Sequence, residues 1–245
     1  MSKLFNIYKP KIEKLQKTNK YDKVAILTEE FLIAKYEDIK IYYAPHNEYT
    51  NEKAKILIVG ICPGWSQTEI AYRKVKEDLE RKVKDNQILK NCKNEARFAG
   101  AMRKNIIDML NELNLNEYID TNSIADLFND NDKLHTTSLI PYPVFVKEKN
   151  YTGFSPKIVE SDFLMEYVKR HFYNEIKMFD NVLIIPLGKA VEEVLHYMIN
   201  DNIINENQCL FGFPHPSGAN GHRKQQFENN KDSLKEKINS FYSNL

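Results

Sequence analysis

The sequence predicts an α/β fold, a three-layer α/β/α sandwich around a central, mostly parallel four-stranded sheet. Short apolar, β-branched runs recur at residues 55–59, 135–140, 181–187 and 208–213, and glycine or proline stops each one. Stretches with helical spacing of apolar residues separate these runs. Strands without polar alternation, with helices between them, read as a parallel sheet covered by helical layers. The chain has 245 residues, 42% hydrophobic and 11% aromatic, which is enough to bury one large core.

Taken in order, residues 1–50 read as charged helical segments, with Lys23–Leu32 as an amphipathic helix. The run Lys55–Val59 is a buried strand closed by Gly60. Residues 66–94 alternate charges with spaced apolar side chains (Ile70, Val75, Leu79, Val83, Ile88, Leu89) and read as a solvated helical insertion. Met102, Ile106, Met109, Leu110 and Leu113 keep a helical period as far as Asn114. His135–Ile140 is the second strand, halted by Pro141 and Pro143, and residues 147–158 are loop. A helix is expected over Glu160–Met178, a strand over Asn181–Leu187, a helix through Met198, a short strand over 208–213 and a polar helix from Gln225. There is no internal repeat or low-complexity linker, so the expectation is one domain over 1–245, with 1–50 a helical elaboration and 66–94 a charged insertion.

A net charge of +1 gives no global field toward nucleic acid, so any DNA affinity has to be local. Cys62, Cys92 and Cys209 are odd in number and widely spaced, which suggests neither a zinc site nor a disulfide framework. The first residues carry no signal-peptide pattern and no run reaches the ~20 apolar residues of a membrane span, so a cytoplasmic, monomeric protein without cofactor or metal is expected.

Two motifs sit at strand exits, where parallel sheets bind ligands. Gly60-Ile61-Cys62-Pro63-Gly64 turns the chain sharply and bares backbone groups. Its plain alternative is punctuation after a strand. Phe213-Pro214-His215-Pro216-Ser217-Gly218 holds an imidazole on a stiff loop, where it can donate to a leaving group that gathers negative charge. A surface-loop histidine is the alternative there.

Together these motifs resemble the uracil-DNA glycosylase superfamily. Gly60–Gly64 is similar to the Gly-Ile-Asn-Pro-Gly motif of its mismatch-specific branch, and His215–Gly218 to its second motif. Arg97-Phe98-Ala99-Gly100-Ala101 resembles the segment whose aromatic stacks on the extruded base, Thr137–Pro141 the strand that carries the base-reading residue, and Leu187–Ala190 a DNA-facing turn. The resemblance runs in order from about residue 53 to residue 224. It implies hydrolysis of an N-glycosidic bond in DNA, single- or double-stranded, after the target nucleotide leaves the stack. It further implies Cys62 and His215 as catalytic residues and Ile61, Trp65, Phe98 and Ser138 around the base. Pro63, Gly64, Lys189, Ser217, Gly218 and Arg223 would meet the DNA.

Departures from the family pattern shape the expected substrate. Cys62 stands where relatives carry a water-activating Asp or Asn, and reads as a core thiol, a water ligand or a covalent nucleophile. Glu69 and Asp108 are substitute carboxylates. Ser138, or Thr137, replaces a base-reading amide and cannot make its paired donor–acceptor contact, which points beyond uracil to a modified pyrimidine. Ala219 is a small wedge for the gap left by a flipped base. Trp65 is a second stacking wall or an end plug of the sheet. DNA repair, or defence against phage DNA with modified cytosines, is the setting these changes suggest. Rival readings are a catalytically silent DNA- or nucleotide-binding protein of the same fold and a hydrolase of free nucleosides.

Overall fold

The computed structural model describes residues 3–129 and 132–244; Met1, Ser2, Asp130, Asn131 and Leu245 lie outside it. In chain order the elements are α1 (Lys3–Lys14), α2 (Lys23–Ile26), β1 (Leu32–Tyr36), β2 (Ile39–Tyr42), β3 (Ile56–Gly60), α3 (Trp65–Glu80), α4 (Asp85–Ala96), α5 (Ala101–Glu112), α6 (Leu115–Tyr118) and α7 (Ile124–Leu127). There follow β4 (Leu134–Ser138), β5 (Val144–Val146), β6 (Lys149–Asn150), α8 (Asp162–Arg170), α9 (Phe172–Ile176), β7 (Leu183–Pro186), α10 (Lys189–Asn200) and α11 (Arg223–Ser243). The expected single domain with two helical additions is met instead by two compact units, each assembled from three separate stretches. Residues 1–50, 62–99 and 140–155 make the first, and 51–61, 100–139 and 156–245 the second.

The second unit carries the α/β part of the fold, a three-stranded parallel sheet in the order β4-β3-β7. All five residues of β3 are buried, which is what its unbroken apolar run requires. Its last residue, Gly60, sits beside Ser138 of β4, and Val59 sits beside Pro186 of β7, so three strands end together. On β4 the pleat sends His135 and Thr137 to one face, where Glu175 of α9 accepts from the Thr137 hydroxyl at 2.7 Å and meets His135 Nε2 at 2.9 Å. The segment 208–213, expected as a strand, makes one parallel bridge, Cys209 to Ile184, with the Leu210 N–H donating to the Ile184 carbonyl at 2.8 Å. A capped 3-10 turn at Glu206–Gln208 precedes it and Gly212, at φ +93°, follows it, so no length remains for a ladder. The single helix expected over 160–178 breaks at His171 into α8 and α9.

The first unit holds an antiparallel sheet, β1-β2-β5-β6, where the sequence suggested helix and loop. The helical period over 23–32 fails after one turn. Asp22 caps α2 through the Ala25 N–H at 2.9 Å, and the next residues are taken by cross-strand pairing. The Tyr43 N–H donates to the Phe31 carbonyl at 2.8 Å, and Leu32 lies opposite Tyr42. Tertiary pairing overrides local propensity here. The 66–94 stretch does form helices, α3 and α4, and it belongs with residues 1–50 in this unit. Aromatic side chains fill the unit's core. Tyr8 stacks on Tyr43 with ring centroids 4.1 Å apart, Phe31 meets the edge of Tyr72 at 5.1 Å, and the Tyr72 hydroxyl donates to the Tyr43 carbonyl at 2.9 Å. Among the described residues no helix is long and apolar enough to cross a membrane.

One turn of this unit, the 3-10 helix Pro45–Glu48, carries two titrating groups of opposite sense. Burial, helped by the Lys93 charge, pushes His46 down to about 3. Burial raises Glu48 to about 7 against the Tyr142 hydroxyl that donates to it at 2.7 Å. As pH falls below 6.5 the unfolded chain protonates His46 and the folded chain does not, so this residue withdraws stability until about pH 3. Glu48 takes its proton in the folded chain near pH 7 and in the unfolded chain near 4.5, so it adds stability over that fall. The two effects offset each other in the wild type. His46→Gln should therefore gain about 2 kcal/mol relative to wild type between about pH 7 and about pH 5, and Glu48→Gln should lose stability over the same range. Urea unfolding at the two pH values measures both; parallel profiles for the two variants would refute the assignment.

Candidate functional site

In the second unit the three strand exits are tied together by backbone bonds. The Leu139 N–H donates to the Gly60 carbonyl and the Leu187 N–H to the Val59 carbonyl, each at 2.9 Å, so both outer strands run just past the end of β3. Ile61, half-buried, is the last residue of that segment. Ser138 ends β4 buried, and alternation places its side chain on the face opposite Thr137. The Thr137 hydroxyl is committed to Glu175, which leaves Ser138 as the polar side chain of this strand end.

Gly188 opens α10 at φ +86°, and a Cβ built there would lie 3.0 Å from the His215 Cβ. The glycine is required twice, by its left-handed φ and by the close approach of the His215 loop. Lys189, the first residue of α10, is exposed.

His215 is half-buried, and burial lowers its pKa below the ordinary imidazole value. Its Nδ1 accepts the Ser217 backbone N–H at 3.2 Å. That bond fixes the tautomer: with Nδ1 an acceptor, the ring proton resides on Nε2, so the neutral imidazole presents an N–H donor away from its own loop. Every carbonyl of the tripeptide is held by a side chain. Asn220 Nδ2 reaches His215 O at 3.2 Å, Asn105 Nδ2 reaches Pro216 O at 2.8 Å, and Arg223 Nη1 reaches Ser217 O at 2.9 Å and Pro216 O at 3.5 Å. Arg223, expected at a phosphate, thus folds back on the loop. The Ser217 hydroxyl accepts from the Ala219 N–H at 3.1 Å, and Gly218 is exposed with open space at its Cβ position. Sequence reasoning missed Asn105 and Asn220, since an asparagine inside a helix or in a polar loop carries no motif.

The first unit contains the remaining motif residues. The Cys62 thiol donates to the Tyr151 carbonyl at 3.9 Å, and burial pushes its pKa up to about 12. A thiol kept neutral in this way is a weak nucleophile and base near neutral pH, which weighs against the covalent reading. Pro63 is buried, Gly64 caps α3, and the Trp65 N–H donates to Asn150 Oδ1 at 3.2 Å. The Trp65 ring is half-buried. Phe98 is only 6% exposed and sits at φ +47°, a conformation a bulky residue rarely adopts and one that often marks function. The two substitute carboxylates are engaged. Glu69 accepts from the Tyr21 N–H at 3.2 Å and from Arg73 Nε at 3.3 Å, and Asp108 pairs with Lys104 at 2.6 Å. Among the described residues no group of three His, Cys, Asp or Glu side chains is placed to hold a metal ion.

Over 218 residues the chain is 43% identical to the uncharacterized protein YoxB of Bacillus subtilis (strain 168), an alignment that covers 88% of this chain and 85% of that one. No protein-family model and no solved structure matches the chain.

The contact at Gly188 gives a direct test of the loop. Gly188→Ala should cost about 1–3 kcal/mol of stability through backbone strain, and should shift the His215 ring. Urea unfolding and the ring resonances of His215 read the two effects. Wild-type values in both would mean that the glycine does not confine the loop.

Proposed function

We propose, for a chain that belongs to the same family as YoxB of Bacillus subtilis, hydrolysis of the N-glycosidic bond of a flipped-out uracil or modified pyrimidine in DNA, leaving an abasic site. The observation that supports this most is the His215 imidazole, neutral and fixed as an Nε2–H donor at the exits of a parallel sheet. When a pyrimidine leaves a sugar, the electron pair of the broken bond goes to the base and negative charge collects on its carbonyl oxygens. A fixed donor of this kind stabilises that charge without reorganising. The sugar left behind, with oxocarbenium character, then takes water at its anomeric carbon, and the proton that water loses goes to the departed base or to solvent.

The resemblance to the uracil-DNA glycosylase superfamily supplies the other roles. Within the second unit Ile61 lies beside the base. The hydroxyl of Ser138 reads one polar edge where an amide would read two, which favours a modified pyrimidine over uracil. Lys189, Ser217 and Gly218 of the second unit follow the strand, and Arg223 supports the loop. In the same reading residues 208–213 stand as the fourth parallel position beside β7, on the strength of the Cys209–Ile184 bridge, in a three-layer α/β/α sandwich. A cytoplasmic monomer acting on DNA completes the proposal.

The neutral Cys62 thiol favours a second reading, a DNA- or nucleotide-binding protein of this fold that lacks water activation. Single-turnover assays on DNA carrying uracil, thymine mismatches or bulky modified cytosines, followed by alkali cleavage, separate the two. Excision by the wild type that falls ~10²-fold or more in His215→Ala supports the glycosylase. Intact DNA with the wild type, but cleavage with Cys62→Asp, supports the silent binder. Intact DNA with both, and no DNA binding, rules out both readings.

A further inference from the structure

The loop that carries His215 is braced from outside itself, and the brace uses residues that no motif marks. Three consecutive carbonyls, those of His215, Pro216 and Ser217, accept from Asn220, Asn105 and Arg223. The donors come from three places in the chain. Asn105 lies inside α5, more than a hundred residues upstream, Arg223 is the first residue of α11, and Asn220 lies in the loop between. Asn220 is itself oriented, since its Nδ2 also donates to Gln226 Oε1 at 2.9 Å. Gly188 lets the loop come close, since a Cβ built there would lie 3.0 Å from the His215 Cβ.

Proline on each side of His215 deprives the loop of two backbone N–H groups. A strand ladder or helix therefore cannot hold this tripeptide. The tripeptide keeps the N–H groups of His215 and Ser217, and its three carbonyls need donors. Side-chain amides and a guanidinium fill that need, and none of them carries a carboxylate that would repel a departing anion. The Ser217 N–H shares one peptide plane with the Pro216 carbonyl that Asn105 holds, so this bond sets the direction in which the N–H faces Nδ1, and Arg223 holds the carbonyl of the next plane.

We infer that Asn105, together with Arg223 and Asn220, is a positioning residue that aims the Nε2–H of His215 by fixing the carbonyls of its loop. The catalytic part of this inference rests on the glycosylase reading; the aiming itself does not.

Two measurements keep the two claims apart. The first is nitrogen-15 NMR of the His215 ring, assigned with His215→Ala as the blank. Wild type should show a single Nε2–H tautomer. Asn105→Asp keeps the shape and replaces the donor by an acceptor facing the Pro216 carbonyl, so the ring should become a mixture of tautomers. Arg223→Lys, whose shorter side chain lacks the fixed guanidinium plane, should do the same to a smaller degree. An unchanged single tautomer in both variants, folded as judged by urea unfolding, overturns the inference whatever reaction the protein performs.

The second is single-turnover excision on the DNA substrate found for the wild type. Asn105→Asp should slow the chemical step ~10-fold or more while DNA affinity stays within about twofold, because a small misplacement of a catalytic group costs rate and not binding. In a His215→Ala background the same substitution should cost nothing further, the non-additivity expected of residues acting through one another. Equal losses in both backgrounds would make Asn105 a merely structural residue. A wild type without excision but with the tautomer shift in Asn105→Asp would leave the brace standing and remove the glycosylase.

Discussion

The second unit depends on one constraint, the double pairing of β3. Its five residues are buried on both faces and bonded on both edges, so none of its backbone polar groups is left to water. A strand in that position has to keep both neighbours in register, and the register determines what arrives at its end. Gly60 meets Ser138, Val59 meets Pro186, and the chain beyond Pro186 turns on Gly188 directly against His215. Slipping either outer strand by one residue would turn its side chains to the other face and move its exit away.

Burial and local bonds set the charge state of both motif side chains that titrate. His215 is held neutral on one side of its titration, and Cys62 on the other, by the same cause, loss of solvent around the ionised form. The outcomes differ because of where each proton can go. The imidazole has two nitrogens, one of which is occupied by a backbone N–H, so its remaining proton is directed outward. The thiol has one proton, and the Tyr151 carbonyl takes it inward. One proton is therefore free of its own loop's bonds and the other is engaged within the first unit.

Legibility followed the physics of each element. Strands β3, β4 and β7 were readable from their short buried runs, and α5 from the helical period of Met102, Ile106, Met109 and Leu110. Strands β1, β2, β5 and β6 were not, since Leu32–Tyr36 and Ile39–Tyr42 are short, mix charge with apolar side chains, and β2 meets its second partner, β5, only far along the chain. The position of His215 was legible from its flanking prolines. Its tautomer was not, because it rests on a bond two residues away. Asn105 left no trace in the sequence, as its role exists only through a carbonyl 111 positions later. Arg223 looked like a phosphate ligand by its place after the second motif, and its direction is a matter of three-dimensional structure alone.

The threading of the two units bears on how the protein is made. The chain passes between them five times, at residues 50/51, 61/62, 99/100, 139/140 and 155/156. During synthesis the first unit lacks β5 and β6 until residue 150 has left the ribosome, and β3 of the second unit waits for β7, more than a hundred residues later. Neither unit is a contiguous piece that a gene could lose, gain or exchange alone. A nascent chain stalled between the crossings exposes an unpaired central strand, Ile56–Gly60, whose composition favours intermolecular pairing. The fold is completed only when segments from both ends of the chain are present together.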